Sequence, residues 1–295
     1  MVGSAIVRRL KSEDCSILTV DRRECDLTNP NQVASWIEAN RPEMVVLAAA
    51  KVGGILANDT YPVDFLYDNL AIQNNVISNS HKFGVEKLLF LGSSCIYPRM
   101  APQPITEDSL LTGPLEPTNE WYAVAKIAGI KLCQAYMKQY GARFVSAMPT
   151  NLYGPYDNFD LQSSHVIPAL MRKAHRAKRE GQNDIEIWGT GKPLREFLHV
   201  DDLADAAVMV LRDYEEYEHI NIGSGTDLSI AEIARLMMEV VGLSGDLRHD
   251  LSKPDGTPRK LMAADKLRAY GWTPKIPLRD GLASTYQWFL ENVEN

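Results

Sequence analysis

Two rhythms of apolar and polar positions run along the chain: short solid apolar runs, and longer stretches with helical spacing. Residues 43–50, EMVVLAAA, form the kind of continuous apolar run shown by a parallel strand covered on both faces. VEKLLFLGSS at 85–94 and RFVSAMP at 143–149 predict further strands, as does SILTVD at 16–21. Between them, NPNQVASWIEAN at 29–40 predicts a helix with Asn29 as its N-cap and Pro30 at the first helical position. Residues 63–82 predict a long helix, and 120–141 an amphipathic one stopped by Gly141. Strands alternating with helices imply an α/β fold with a Rossmann-like, doubly wound parallel sheet. In such sheets ligands bind at the carboxyl ends of the strands. LGSSC (91–95) and MPTNLYGP (148–155) fall at such ends.

After residue 155 the rhythm loosens. SSHVIPALMRKAHRAKREG (163–181) predicts a basic helix. Residues 185–211 predict strand, glycine turn, strand, then a helix capped near Asp201 or Asp202. Residues 227–242 and 278–293 predict helices, and KPDGTPRK (253–260) a Pro/Gly loop. The expected organisation is a sheet domain over 1–154, to which 196–225 return. A smaller α/β substrate-binding domain is expected from 155–195 and 226–295.

Bulk properties narrow the function. The 295 residues are 45% hydrophobic and 23% charged, ordinary for a globule with a core. A net charge of −7 and a pI near 5.5 argue against a nucleic-acid partner. No apolar run is long enough for a membrane span. No charged-then-apolar leader opens the sequence, so a cytoplasmic protein is expected. Cys15, Cys25, Cys95 and Cys133 are widely spaced with no C-x-x-C pair. That suits reduced thiols and argues against a metal site.

The chemistry gathers in YAVAK, which puts Tyr122 and Lys126 on one helix face, with Ser93 on a preceding strand end. A free phenol ionises near pH 10, and a nearby ammonium is expected to lower that value by favouring the phenolate. Serine can orient a carbonyl and tyrosine can move the proton while a nicotinamide carries hydride. Y-x-x-x-K alone is a weak motif. After LGSS in a Rossmann-like pattern it becomes an active-site candidate. Cys95, two residues beyond Ser93, is either a small buried hydrophobe or a base.

Taken together, AAAKVGGI, FLGSSCIYP, LEPTNEWYAVAKIAGIKLC, MPTNLYGP, SSHVIPAL, REFLHVDDLA, KPDGTPRK and STYQWFLEN span nearly the whole chain. On them the sequence resembles the extended short-chain dehydrogenase/reductase family, in its branch of GDP-sugar epimerase–reductases. The resemblance implies conversion of GDP-4-keto-6-deoxy-D-mannose to GDP-L-fucose by epimerisation at C3 and C5, then reduction of the C4 ketone with NADP(H). It implies Cys95 as base and His165 as acid of the epimerisation, and Ser93, Tyr122 and Lys126 as the reductase set. A homodimer is implied as well.

The same resemblance implies that the cofactor contacts Gly3, Arg22, Asp26, Leu27, Leu91, Gly92, Ser93, Ser94, Lys126, Pro149, Thr150, Asn151, Leu152 and His165. It implies that Lys173, Trp188, Arg195 and Asp255 contact the GDP-sugar. Lys173 stands where the family often carries arginine. Asp21 and Arg22 send opposite signals: an acidic residue after the second strand suits NAD, an arginine suits NADP. Arg22 matches the family's phosphate-binding arginine, so NADP is expected.

The family opens with a strand and a G-x-x-G-x-x-G loop, whereas this sequence opens MVGSAIVRRL, with Gly3 at the place of the last glycine. The expectation is a misplaced start or a fragment, with weakened NADP binding. Two rival readings are an NAD-dependent nucleotide-sugar 4-epimerase or dehydratase, and a non-catalytic relic that keeps the sugar-nucleotide pocket. The Cys95–His165 pair disfavours the first, and the intact Ser93–Tyr122–Lys126 set speaks against the second.

Overall fold

A computed structural model describes residues 1–161, 163–253 and 255–294. In chain order the elements are α1 (Val2–Leu10), α2 (Pro30–Asn40), β1 (Met44–Leu47), α3 (Ile55–Thr60), α4 (Pro62–Lys82), β2 (Lys87–Leu91), α5 (Glu120–Tyr140), β3 (Arg143–Pro149) and β4 (Asn151–Tyr153). They continue with α6 (Val166–Arg179), β5 (Ile185–Trp188), β6 (Leu194–His199), α7 (Val200–Asp213), β7 (Ile220–Ile222), β8 (Asp227–Ser229), α8 (Ile230–Val241), β9 (Leu247–Asp250), β10 (Arg259–Lys260), α9 (Asp265–Ala269) and α10 (Leu278–Asn292).

The main sheet has the order β1-β2-β3-β7, and every pairing in it is parallel. Its strands are covered on both faces, which is why they read as solid apolar runs. Side chains alternate along each strand. Leu88 and Phe90 of β2 and Phe144 of β3 pack in one core with Val33 and Ile37 of α2, Ile77 of α4 and Ile130 of α5. Leu89, Leu91, Val145 and Ala147 face the other way, onto Ala5 of α1 and Leu203, Ala207 and Val210 of α7. A third core joins α6, α8 and α10 through Met171, Met237 and Phe289. A second sheet runs β10-β6-β4 with β8 antiparallel on β6, and β5 pairs β9 apart from it.

Asn29 caps α2 through its side chain, with Pro30 at the first position, as its sequence predicts. Gly141 ends α5 in the left-handed conformation, also as expected. Three expectations fail. Residues 16–21 form no strand: β1 has β2 on one side and no strand on the other among the described residues, so Ile17–Val20 have no ladder to join. The helix expected to be capped near Asp201 or Asp202 starts two to three residues earlier. His199 is its N-cap, accepting from the Asp201 amide through Nδ1 at 3.2 Å, and Asp202 instead accepts from the Lys275 and Ile276 amides. Residues 227–242 are not helical throughout, because Asp227–Ser229 pair with β6 first and the capping box of Ser229 and Glu232 then starts α8.

Candidate functional site

At the end of β2 the chain passes through Gly92, whose amide donates to the Ala147 carbonyl at 2.9 Å. A Cβ at Gly92 would lie 2.3 Å from the Met148 sulfur, so any larger residue here would first have to displace the end of that side chain. Ser93 then stays extended and caps a 3₁₀ turn, Ser94–Ile96, its Oγ accepting from the Cys95 amide at 3.5 Å. That turn drives Cys95 inward, where it is 6% exposed.

α5 brings the next two residues. Lys126, buried, donates from Nζ to the Leu91 carbonyl at 2.9 Å, and Nζ lies 4.8 Å from the centre of the Phe90 ring. One turn earlier, Tyr122 meets the edge of Phe65, with centroids 6.4 Å apart. The structure therefore gathers Ser93, Cys95, Tyr122 and Lys126 at the carboxyl end of β2.

Burial dominates the electrostatics here. It pushes the Cys95 thiol up, and Lys260, then Ser93 and Lys126, oppose it. It pulls Lys126 down to about 8, partly offset by Cys95. It pushes Tyr122 well up, with Cys95 adding to the rise and Ser93 opposing it. The sequence-based expectation that lysine lowers the phenol's pKa is thus reversed: desolvation and Cys95 raise it, and the hydrogen bond of the ammonium goes to the Leu91 carbonyl.

His165 approaches on a separate segment, as the backbone N-cap of α6. Its ring keeps solvent contact, yet the packing round it disfavours its charged form. The segment docks on the loop before α3, where the Gly54 amide donates to the Ser163 carbonyl at 3.1 Å. No hydrogen bond joins His165 to the Cys95 cluster among the described residues.

The remaining candidates divide. Thr150 and Asn151 spend their side chains on the Glu196 carbonyl, at 3.3 and 2.8 Å, while Pro149 ends β3 and Leu152 packs on the core. Gly3 lies in the first turn of α1, a helix without a side-chain cap. Asp26 accepts from Thr28, and Leu27 gives its carbonyl to Asn75. Arg22 is largely exposed, 3.9 Å from Asp26. Trp188, 56% exposed, has the Lys173 ammonium 5.7 Å and the Lys253 ammonium 5.5 Å from its ring centre. Asp255 accepts from the Thr190 amide and hydroxyl, at 2.9 and 2.7 Å, and so shapes the Gly189–Gly191 turn. Arg195 on β6 is set beside Lys260 on β10 by the strand register. Sequence reasoning passed over Lys253 and Lys260, although both lie in the KPDGTPRK segment whose composition marked it out. No group of three or more His, Cys, Asp or Glu side chains is placed to hold a metal among the described residues.

The model of the NAD dependent epimerase/dehydratase family matches residues 1–223. The chain belongs to that family. Curated relatives of this epimerase/dehydratase include the GDP-L-fucose synthase of Sinorhizobium fredii, 61% identical over 99% of this chain and 93% of that one. That of Escherichia coli is 52% identical, over 100% of this chain and 95% of its own. Among solved structures, a GDP-L-fucose synthetase from Naegleria fowleri bound to NADP superposes with a TM-score of 0.91. It is 31% identical and covers 100% of this chain and 92% of its own.

Proposed function

We infer that this epimerase/dehydratase is a GDP-L-fucose synthase, which converts GDP-4-keto-6-deoxy-D-mannose to GDP-L-fucose with NADPH. The observation that carries the reading is the convergence of Ser93, Cys95, Tyr122 and Lys126 at the end of β2, in a chain 52–61% identical to curated GDP-L-fucose synthases over nearly its full length. The C4 ketone acidifies the hydrogens at C3 and C5. Cys95 takes a proton from one face of the sugar, His165 returns one to the other, and exchange with solvent resets both groups. Tyr122 then gives its proton to the C4 oxygen as the ketone is reduced. The high pKa that burial gives this phenol suits a donor, because the phenol stays protonated until the oxygen becomes basic.

The residues present fit NADP. When bound, the cofactor supplies the hydride. Among the described residues the buried Lys126 ammonium spends one donor on Leu91, which leaves two for ribose hydroxyls. Asp21 Oδ1 accepts from the Arg23 and Glu24 amides, which ties the carboxylate to its own turn. Arg22 stays exposed for a 2′-phosphate. The uncapped amides at the start of α1, where Gly3 lies, suit the pyrophosphate. Leu91, Gly92, Ser94, Pro149 and Leu152 would hold the nicotinamide end of the cofactor, and Asp26 and Leu27 the adenine end.

For the GDP-sugar, Trp188 offers an exposed face and Lys173 and Arg195 offer cations, with Asp255 holding the turn that carries the tryptophan. The sheet domain comprises 1–154 with 196–225, and the substrate domain 155–195 with 226–295. Support for a homodimer comes from Val63 and Tyr67 on α4 and Trp121 and Val124 on α5, all large and exposed. All four cysteines are free thiols, which fits the cytoplasm, and no described helix is long and apolar enough to cross a membrane.

The test incubates the chain with NADPH and GDP-4-keto-6-deoxy-D-mannose in deuterated water and follows both cofactor oxidation and label at C3 and C5. The expected product is GDP-L-fucose carrying label. NADPH oxidation that yields only unepimerised GDP-sugar would leave a plain 4-reductase, and no turnover at all would favour a non-catalytic binding protein.

A further inference from the structure

β5 and β9 pair in parallel, with Trp188 opposite Asp250 at the last rung. Ile185 and Ile187 of β5 point into the third core, so alternation puts Trp188 outside. Beyond that rung the chain turns at once. Asp250 accepts from the Ser252 amide and hydroxyl, at 3.0 and 2.6 Å, and the Lys253 amide donates to the Asp250 carbonyl at 3.3 Å. The turn brings the Lys253 side chain back over the indole, its ammonium 5.5 Å from the ring centre, while Lys173 reaches the same ring from α6 at 5.7 Å. Lys173 already donates to the Glu186 carbonyl, at 3.0 Å. The exposed Lys253 ammonium makes no hydrogen bond and no ion pair among the described residues.

The loop that follows leads from this indole toward the start of α5. Asp255 holds the Thr190 turn next to Trp188. At Gly256 a Cβ would lie 2.9 Å from the Arg195 guanidinium. Thr257 donates its hydroxyl to the Glu116 carboxylate at 3.1 Å, just ahead of α5 and Tyr122. A GDP-sugar laid along that loop, with its reacting sugar at Tyr122, meets Arg195 with its diphosphate and Trp188 with its base. A base is a flat π-system that stacks on an exposed indole. The ammonium that now covers the ring sits on a flexible stem, so it can yield the ring face and settle at the rim of the base.

We propose that Lys253 is a specificity residue for the nucleotide: its ammonium, otherwise without a partner, donates to O6 and N7 of a guanine stacked on Trp188. The inference rests on the reading of the substrate as a GDP-sugar. Guanine offers two acceptors on that edge, whereas adenine puts an amino donor beside its N7. An ammonium has three donors and no acceptor, so it favours guanine and meets adenine donor against donor. Lys173 is less suited to the task, because its ammonium is already engaged by the Glu186 carbonyl.

The experiment titrates GDP, IDP and ADP calorimetrically into wild type, Lys253→Met and Lys253→Arg, with NADP present throughout to keep ADP out of the cofactor site. The position is exposed, and melting curves check that the variants fold. IDP keeps O6 and N7 but lacks the 2-amino group, so it isolates the edge in question. Lys253→Met should weaken GDP and IDP about tenfold and ADP by about twofold at most, and Lys253→Arg should keep the preference. An equal loss for all three would overturn the proposal, because it would assign the lysine to the diphosphate they share. GDP binding that is unchanged in Lys253→Met would overturn it as well. A wild type that binds GDP no better than ADP would overturn the GDP-sugar reading and take the inference with it. That failure shows in the wild type alone, so the two are told apart.

Discussion

Replacing Lys126 with methionine should strengthen the fold while it destroys the reduction. The lysine's pKa falls from 10.5 to about 8 on folding, with burial as the main cause. Such a drop means that the folded protein holds this proton less favourably than the unfolded chain by roughly 3 kcal/mol. Against that stands the hydrogen bond from Nζ to the Leu91 carbonyl, 2.9 Å long, whose loss costs about 1–2 kcal/mol once the stranded carbonyl is counted. Methionine fills a similar volume without charge. At neutral pH the variant should therefore gain roughly 1–2 kcal/mol in urea unfolding.

The sign of the pH dependence follows. A base whose pKa is depressed by folding contributes full stability above its unfolded value, loses it as the pH falls between 10.5 and about 8, and carries the whole penalty below that. The gap between variant and wild type should thus be widest near neutrality and narrow steadily as the pH climbs. Urea titrations of both proteins at several pH values test this, and the difference between them cancels titrations they share. A variant less stable than wild type at neutral pH, or a gap that does not change with pH, would refute the reasoning. NADPH oxidation should be lost in the same variant, since Lys126 is proposed to donate to the cofactor.

Four further outcomes are expected. Gly129→Ala on α5 gains about 1 kcal/mol of helix propensity, but its Cβ would fall 2.4 Å from the Phe90 ring and 2.8 Å from Gln73 Oε1. Overpacking of roughly 1–3 kcal/mol should win and calorimetry should show a lower Tm. Gly54→Ala puts a Cβ 3.0 Å from the Ser164 carbonyl, next to His165. It should slow C3 and C5 exchange severalfold with the melting temperature little changed, and normal exchange would dissociate this loop from the acid. Tyr97→Phe leaves Asn221 Oδ1 and His219 Nε2 without the phenol they share, at 2.6 and 2.9 Å, and should cost about 1–3 kcal/mol in urea unfolding. Trp188→Ala should raise KM for the GDP-sugar by roughly tenfold with kcat nearly unchanged, which is the mark of lost uniform binding.

Much of this was legible in the residue pattern, for identifiable reasons. β2 and β3 are buried on both faces, so burial wrote itself into solid apolar runs. Asn29, Pro30 and Gly141 act through local backbone geometry, which a short window captures. Tyr122 and Lys126 share a helix face by spacing alone. What failed depends on partners distant in sequence. Whether 16–21 forms a strand is decided by a neighbouring backbone, not by its own β-branched residues. Asp202 looked like a cap but is claimed by the amides of Lys275 and Ile276, more than seventy residues away. The direction of the Tyr122 shift depends on how much protein surrounds the phenol, which spacing does not encode. Lys260 was invisible for a similar reason: only the pairing of β10 with β6 sets it beside Arg195.

The placement of carboxylates completes the logic of the site. Lys126 and Lys260 act on the Cys95 thiol, and Arg195 acts on Lys260, in a protein whose net charge is −7. Nearby acids are withheld from them by other tasks. Glu196 accepts from the Gly225 and Met262 amides. Asp255 is fastened to Thr190, and Glu116 is shared among Arg99, Thr257 and the field of Arg195. Had any of these carboxylates closed onto the cations, the site would be more stable and electrically satisfied. Leaving the cations unneutralised raises the energy of the empty pocket and selects for ligands that bring negative charge, as a nucleoside diphosphate does. Two of the same cations, Lys260 and Lys126, oppose the rise that burial imposes on the Cys95 thiol, so on the proposed reading substrate capture and base activation draw on one set of charges.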